Sequence, residues 1–259
     1  MTAKTNENYS NNLLSIIKRN YRLQYVENDD LIKLIDMSHA VTYPAGSYVF
    51  MEGDTVSFMY IVVSGKIELN MNNHRFNEKI FSILGPGNLL GLSEIFNCHG
   101  VHTTNALCEE DCVLAAIPKA DFRASICQMP SLTFAICIIM GNMIGELRHE
   151  LSLTDAQTKV MAYLKNLIYN STPAADGSVQ VPRKITYDKL AKMLNITRET
   201  TSRVLKIMKD KGIIDIQKDS FTILDIEKIN EAIPEHSCLT HYHDTDNQLT
   251  PIPFRKPGK

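Results

Sequence analysis

Apolar and polar positions change rhythm several times along the chain. Residues 11–39 mix short amphipathic helical stretches such as DDLIKLIDMS. From Val41 the apolar residues fall into brief or alternating runs: Gly46–Phe50, Met59–Val63, Lys66–Met71, Lys79–Leu84 and Cys112–Ile117. The turn-forming stretches MEGD, VSGK, NMNNH, LGPGN and CEED separate them. Short runs punctuated by glycine predict the strands of an antiparallel sandwich or barrel. From Pro130, a residue suited to a helix's first turn, the period lengthens, and no turn signal occurs until about residue 171. Thr133, Cys137, Met140, Ile144, Leu147, Leu151 and Thr154 recur there at spacings of 4, 3, 4, 3, 4 and 3. This is a heptad seam. Ile136, Ile139 and Met143 form a second apolar stripe beside it, so one stripe is expected to face the β domain and the other a partner helix. A further helix is expected over 155–170, then a turn-rich connector, NSTPAADGS, over 170–178.

Two short helices with a tight break at Asn195–Thr197 follow the connector. Leu190, Met193 and Leu194 supply the inner face of the first; Val204, Leu205 and Met208 supply that of the second. Thr197 is a suitable N-cap and Gly212 a suitable C′ residue. Ile213–Leu224 then alternates as a two-stranded wing turning near Lys218–Ser220, completing a winged helix-turn-helix. In that motif the exposed start of the second helix reaches base edges, here Arg198, Glu199, Ser202 and Arg203. Arginine can bond guanine O6 and N7 together, and glutamate can accept from cytosine N4. Thr186, Thr200, Lys206 and Lys209 are placed for phosphates. The chain is therefore read as α+β, with a β-rich domain over 1–128, a dimerisation helix over 129–154, the winged helix over 155–233 and a polar, disordered tail over 234–259.

Charge sharpens this picture. The 259 residues carry a net −2, yet residues 183–218 hold ten Lys/Arg against four acids, a net +6, leaving −8 elsewhere. Such asymmetry points to a polyanionic partner, double-stranded DNA. No run of about 18 apolar residues occurs, so no membrane partner is expected. The polar N-terminus lacks a secretion signal, and a cytoplasmic address is expected. No catalytic triad, phosphate loop or HExxH motif is present, so no enzyme is expected. Six cysteines without a CxxC pair do not make a disulfide scaffold. In the tail His236, Cys238, His241 and His243 are metal-ligand types, but their order matches no zinc pattern. No metal is assigned, and metal binding by that set stays open.

Ile185–Lys211, with TRETTSRVLKIMKDKGII, resembles the helix-turn-helix of the cyclic AMP receptor/fumarate-nitrate regulator (CRP/FNR) family of bacterial transcription factors. Gly46, Gly53, Gly65, Gly87 and Gly91, with Tyr60-Ile61-Val62, resemble that family's β-roll. The resemblance spans roughly residues 25–230. It implies a cyclic-nucleotide-binding-like jelly roll as sensor, a homodimer, and RNA polymerase as a further partner. By position Arg198, Glu199 and Arg203 match the base readers of the cyclic AMP receptor branch, and Ser202 a reader of the oxygen-sensing branch. A TGTGA-like inverted repeat is implied.

The sensor departs from both branches. Leu92 stands where the cyclic AMP branch has a ribose-binding glutamate, and His102-Thr103 where it has the phosphate-binding Arg-Ser pair, so cyclic AMP is not expected. No cysteine precedes Cys98, so an N-terminal iron–sulfur cluster is not expected either. The effector stays unidentified, with three readings open. One is a small organic ligand near Leu92, His102, Thr103, Met140 and Ile144. Another is haem, for gas sensing, ligated by His99, His102, His149 or Met140. The third is a thiol or metal redox switch using Cys98, Cys108 or Cys112. A rival of another class is a regulatory module whose winged helix contacts a protein instead of DNA.

Overall fold

The computed structural model describes residues 3–20, 23, 25–72, 78–169, 174, 178–182, 186–217, 220–233 and 242–243. Two helices, α1 (Ala3–Arg19) and α2 (Asn28–Asp36), lead into β1 (His39–Tyr43), β2 (Tyr48–Phe50), β3 (Phe58–Ser64), β4 (Ile67–Asn72), β5 (Glu78–Leu84) and β6 (Leu89–Leu90). A short α3 (Leu92–Phe96), β7 (Asn105–Cys108), β8 (Cys112–Pro118) and α4 (Lys119–Ile126) complete the first domain. After α5 (Pro130–Ser152) come α6 (Ala156–Tyr169), β9 (Val179–Pro182), α7 (Tyr187–Leu194), α8 (Arg198–Asp210), β10 (Ile214–Ile216), β11 (Ser220–Ile223), α9 (Ile226–Ala232) and β12 (Tyr242–His243).

The first domain is a roll of two sheets, ordered β1-β8-β3-β6 and β12-β5-β4-β7-β2. Strand β3 explains its continuous apolar run: Met59 and Ile61 face α1, α2 and α5, while Tyr60 and Val62 face the other sheet. A strand buried on both faces needs no polar alternation. Gly65 turns β3 into β4 at φ +89°, and a Cβ there would lie 2.5 Å from Cys112 Sγ, so no larger residue fits. Strands β1, β6 and β7 add to those expected. Of the tail only Tyr242–His243 is described, pairing parallel with Ile83–Leu84 of β5.

Helix α5 packs Leu132, Ala135, Ile136 and Ile139 onto the roll. Its exposed apolar residues are Phe134, Cys137, Ile144, Leu147 and Leu151. Of the seam read from spacing, Cys137, Ile144, Leu147 and Leu151 thus lie on the exposed side. Met140 packs against the roll, Thr133 Oγ1 bonds the Ile126 and Met129 carbonyls, and Thr154 lies beyond the helix end. At 3.6 residues per turn, 133 and 140 flank the inward stripe. Among the described residues α5 is also long and apolar enough to suit a bilayer, with mean hydropathy 1.4 over 18 residues, although polar residues interrupt its apolar run. Its apolarity serves two faces, one of which is the roll.

The second domain has its own core, built from Val160, Leu164, Leu190, Leu205, Met208, Ile214, Phe221 and Ile229 among others. Its wing is three-stranded, order β10-β11-β9, not the two-stranded hairpin expected: Val179–Pro182, just after the connector, pairs with Ser220–Ile223.

Candidate nucleic-acid interface and sensor site

Local chemistry shapes the helix-turn-helix. Thr186 caps α7, its Oγ1 accepting the Lys189 backbone N–H at 3.1 Å. Asn195 ends that helix in the left-handed region at φ 50°, which asparagine tolerates, and the chain reverses. Thr197 caps α8 by accepting the Thr200 N–H at 3.1 Å, and the buried Thr201 donates its hydroxyl to the Thr197 carbonyl. Val204, Leu205 and Met208 face inward against Leu190 and Leu194. That orientation leaves Arg198, Glu199, Ser202, Arg203 and Lys206 exposed along the outer side, the first four within two turns of the helix start. Among the described residues none of the three cations here forms an ion pair.

The other expected phosphate contacts are engaged locally. The Thr186 hydroxyl is a cap, and Thr200 Oγ1 accepts from Thr197. Lys209 Nζ sits 2.9 Å from Asp215 on β10, and that bond holds the Asp215 carboxyl below its usual range. Lys189 and Lys192, which sequence reasoning did not single out, reach across to the roll.

Two family descriptions match, and together they span most of the chain: Cyclic nucleotide-binding domain over residues 40–128 and Crp-like helix-turn-helix domain over 158–232. The chain belongs to the CRP/FNR family of transcription regulators. The CRP-like cAMP-activated global transcriptional regulator of Mycobacterium tuberculosis is 24% identical over 217 residues, 83% of this chain and 96% of that protein. The Cyclic AMP receptor protein of Thermus thermophilus is 27% identical over 193 residues, 73% of this chain and 85% of the relative. Among solved structures, the c-di-GMP-responsive regulator CLP of Xanthomonas campestris has the same fold: TM-score 0.62, 19% identity, with 76% of this chain and 99% of that one covered. This CRP/FNR-family protein is thus a DNA-binding transcription regulator with an effector-binding domain.

At the sensor site the structure separates the expected lining residues. Leu92 and Met140 join the core between the roll and α5, whereas Ile144 is exposed on the outer side of α5. Gly91, at φ +83°, opens α3. Behind it His102 is only 3% exposed, its ring stacked on Phe50 at 3.5 Å and 8°. Its Nδ1 has no hydrogen-bond partner among the described residues. Burial lowers the His102 pKa, opposed by the nearby Glu94 and Asp54 carboxylates. Glu94, also buried, accepts from the Ser93 hydroxyl at 2.7 Å and the Thr103 hydroxyl at 3.2 Å. A phosphodiester would meet the Glu94 carboxylate and the buried His102 imidazole here, with Lys119 the nearby cation and, among the described residues, no guanidinium at this site; a carboxylate in place of a bidentate arginine does not fit that group.

The remaining candidates scatter. His99 and Cys98 are exposed, and His149 is half-buried on α5. Cys108 and Cys112 are buried together, and burial, then Cys108, pushes the Cys112 thiol up to about 12. Such a thiol stays protonated at neutral pH and is a poor nucleophile. Among the described residues no cluster of three metal-ligand side chains occurs, and His236, Cys238 and His241 lie outside them. Glu94 and Phe50 escaped sequence reasoning because one buried carboxylate and one strand phenylalanine carry no spacing signal.

Proposed function

We propose that this regulator acts as a homodimer on an inverted repeat of TGTGA-like half-sites. Arg198, Glu199, Ser202 and Arg203 read bases, and a non-nucleotide effector sensed beside His102 and Glu94 sets the affinity. The carrying observation is α8 itself, whose capped N-terminal end presents this polar quartet outward while Val204, Leu205 and Met208 anchor the opposite side. Phosphate contact falls to Lys206 and the two helix N-termini capped by Thr186 and Thr197. The exposed apolar face of α5 supplies the contact with a second copy, and the two-fold arrangement matches an inverted repeat with half-sites one DNA turn apart, about 34 Å. The cytoplasm, where DNA and RNA polymerase are found, is its site of action.

The effector's chemistry follows from the groups around it. A buried carboxylate already holding two hydroxyls, next to an imidazole nitrogen with no partner among the described residues, favours a ligand that donates hydrogen bonds over an anion. Selection from a random duplex pool tests the DNA reading. The parent is expected to enrich TGTGA-type inverted repeats, and the triple variant Arg198→Ala/Glu199→Ala/Arg203→Ala to enrich none. Enrichment of the same sites by both refutes it.

A further inference from the structure

Alternation along β4 sorts its side chains. Ile67 and Leu69 enter the core between the sheets, so Glu68 and Asn70 take the opposite face, with Asn105 of β7 in register beside Asn70. Polar residues on an outer sheet face are ordinarily wet. Here Glu68, Asn70 and Asn105 are 7%, 2% and 9% exposed. They form one bonded chain. The Glu52 backbone N–H donates to Asn105 Oδ1 at 2.9 Å, Asn105 Nδ2 to Asn70 Oδ1 at 3.1 Å, and Asn70 Nδ2 to Glu68 Oε1 at 2.9 Å. The far end of the chain lies in the other domain: Lys189 Nζ of α7 is 3.4 Å from Glu68 Oε2 and also donates to Glu109 Oε1. Three residues on, on the same side of α7, Lys192 Nζ donates to Glu78 Oε2 of β5 at 2.9 Å.

We infer that these contacts are an autoinhibitory latch, in which Glu68, Glu78 and Glu109 of the roll occupy the side of α7 that DNA phosphates need and hold the helix-turn-helix in a state of low DNA affinity. In this motif the first helix crosses the phosphate backbone while the second enters the groove. Docked carboxylates at that helix repel phosphates and sequester two cations that would otherwise neutralise them. A buried charge is costly to leave unpaired, so releasing Lys189 from Glu68 carries a desolvation cost borne by the polar chain of Asn70 and Asn105. Their chain ends at Glu52, two residues after Phe50, the ring on which His102 stacks. The latch thereby reaches to within two residues of the strand position that stacks on the sensor-site imidazole. This inference rests on the DNA-binding role proposed above for the helix-turn-helix.

Two measurements on the full chain test it. Carbodiimide crosslinking with mass spectrometry should join Lys189 or Lys192 to Glu68, Glu78 or Glu109 in free protein. Those links should vanish at saturating TGTGA-type duplex. No links in free protein, or links persisting at full DNA occupancy, overturn the latch. By anisotropy, Glu78→Gln/Glu109→Gln should bind that duplex about tenfold more tightly than the parent, within the usual range of coupling between sites. Glu110→Gln/Asp121→Asn removes the same charge from exposed roll residues outside the contact, and an equal gain there also overturns the latch. If neither the parent nor any variant binds duplex while the free-protein links still form, the DNA-reading proposal fails and the docking stands.

Discussion

Leu151 gives the sharpest test of the dimer. It is 82% exposed in the single chain and lies one turn beyond Leu147, itself 47% exposed, on the outer side of α5. Truncation to alanine removes three carbon groups worth about 0.8 kcal/mol each when fully buried, or about 2 kcal/mol for the exposed share of this side chain. Two-fold symmetry doubles the loss to about 4 kcal/mol, so Leu151→Ala should weaken the dimer roughly 1,000-fold in Kd. The side chain belongs to none of the buried clusters, so the thermal midpoint of the monomer should hardly change. Sedimentation equilibrium over a wide concentration range reads the dissociation constant, and anisotropy reads binding to an inverted repeat against a single half-site. Affinity for the repeat should fall while that for the half-site persists. A dimer constant within threefold of the parent would show that this face of α5 is not the contact between copies.

Other expectations follow from single side chains. Arg203→Ala should lose about 1–3 kcal/mol of discrimination at one base position, whereas Lys206→Ala should weaken all duplexes alike and reduce the salt slope by about one, both readable by competition at several salt concentrations. Asn70→Ala removes the partner of Glu68 Oε1 and of the Asn105 Nδ2 amide, and should cost about 1–3 kcal/mol in urea unfolding; a change below about 0.5 would show that the chain is not bonded in solution. His102 has a folded pKa below its unfolded value near 6.5, so the unfolded chain binds the extra proton and stability falls as pH drops below about 6.5. His102→Gln should flatten that fall in thermal midpoints between pH 5 and 8, and an unchanged slope would rule His102 out as its source.

Much of the DNA-binding domain was legible because its determinants are local. Thr186 and Thr197 cap by bonding residues three positions on, and the inner faces of α7 and α8 repeat at helical spacing. The roll was less so. Strand β6 has only two residues, and β1 is exposed or half-buried along its length, so neither carries an apolar run. The burial of Glu68, Asn70 and Asn105 left no trace, since they alternate as wet residues would. That Met140 packs on the roll while its seam neighbours stay exposed depends on which stripe the roll claims first, a tertiary choice that spacing alone does not make.

Charge is distributed in this molecule by task. The basic segment is not a uniform cationic surface: Arg198, Arg203 and Lys206 on α8 make no ion pair among the described residues, whereas Lys189, Lys192 and Lys209 are held by Glu68, Glu109, Glu78 and Asp215. Ion pairs as exposed as that of Lys209 contribute little and yield readily to salt or phosphate. Lys189 differs because one of its partners is buried, so removing it carries the desolvation cost of Glu68 into the roll. On the proposed function, base reading falls to side chains that need no prior rearrangement, while the inferred latch ties phosphate binding by the first helix to the sensor domain. A regulator divided in this way would change affinity with its signal while leaving sequence preference intact, because the groups proposed to discriminate between bases are not the groups held by the roll.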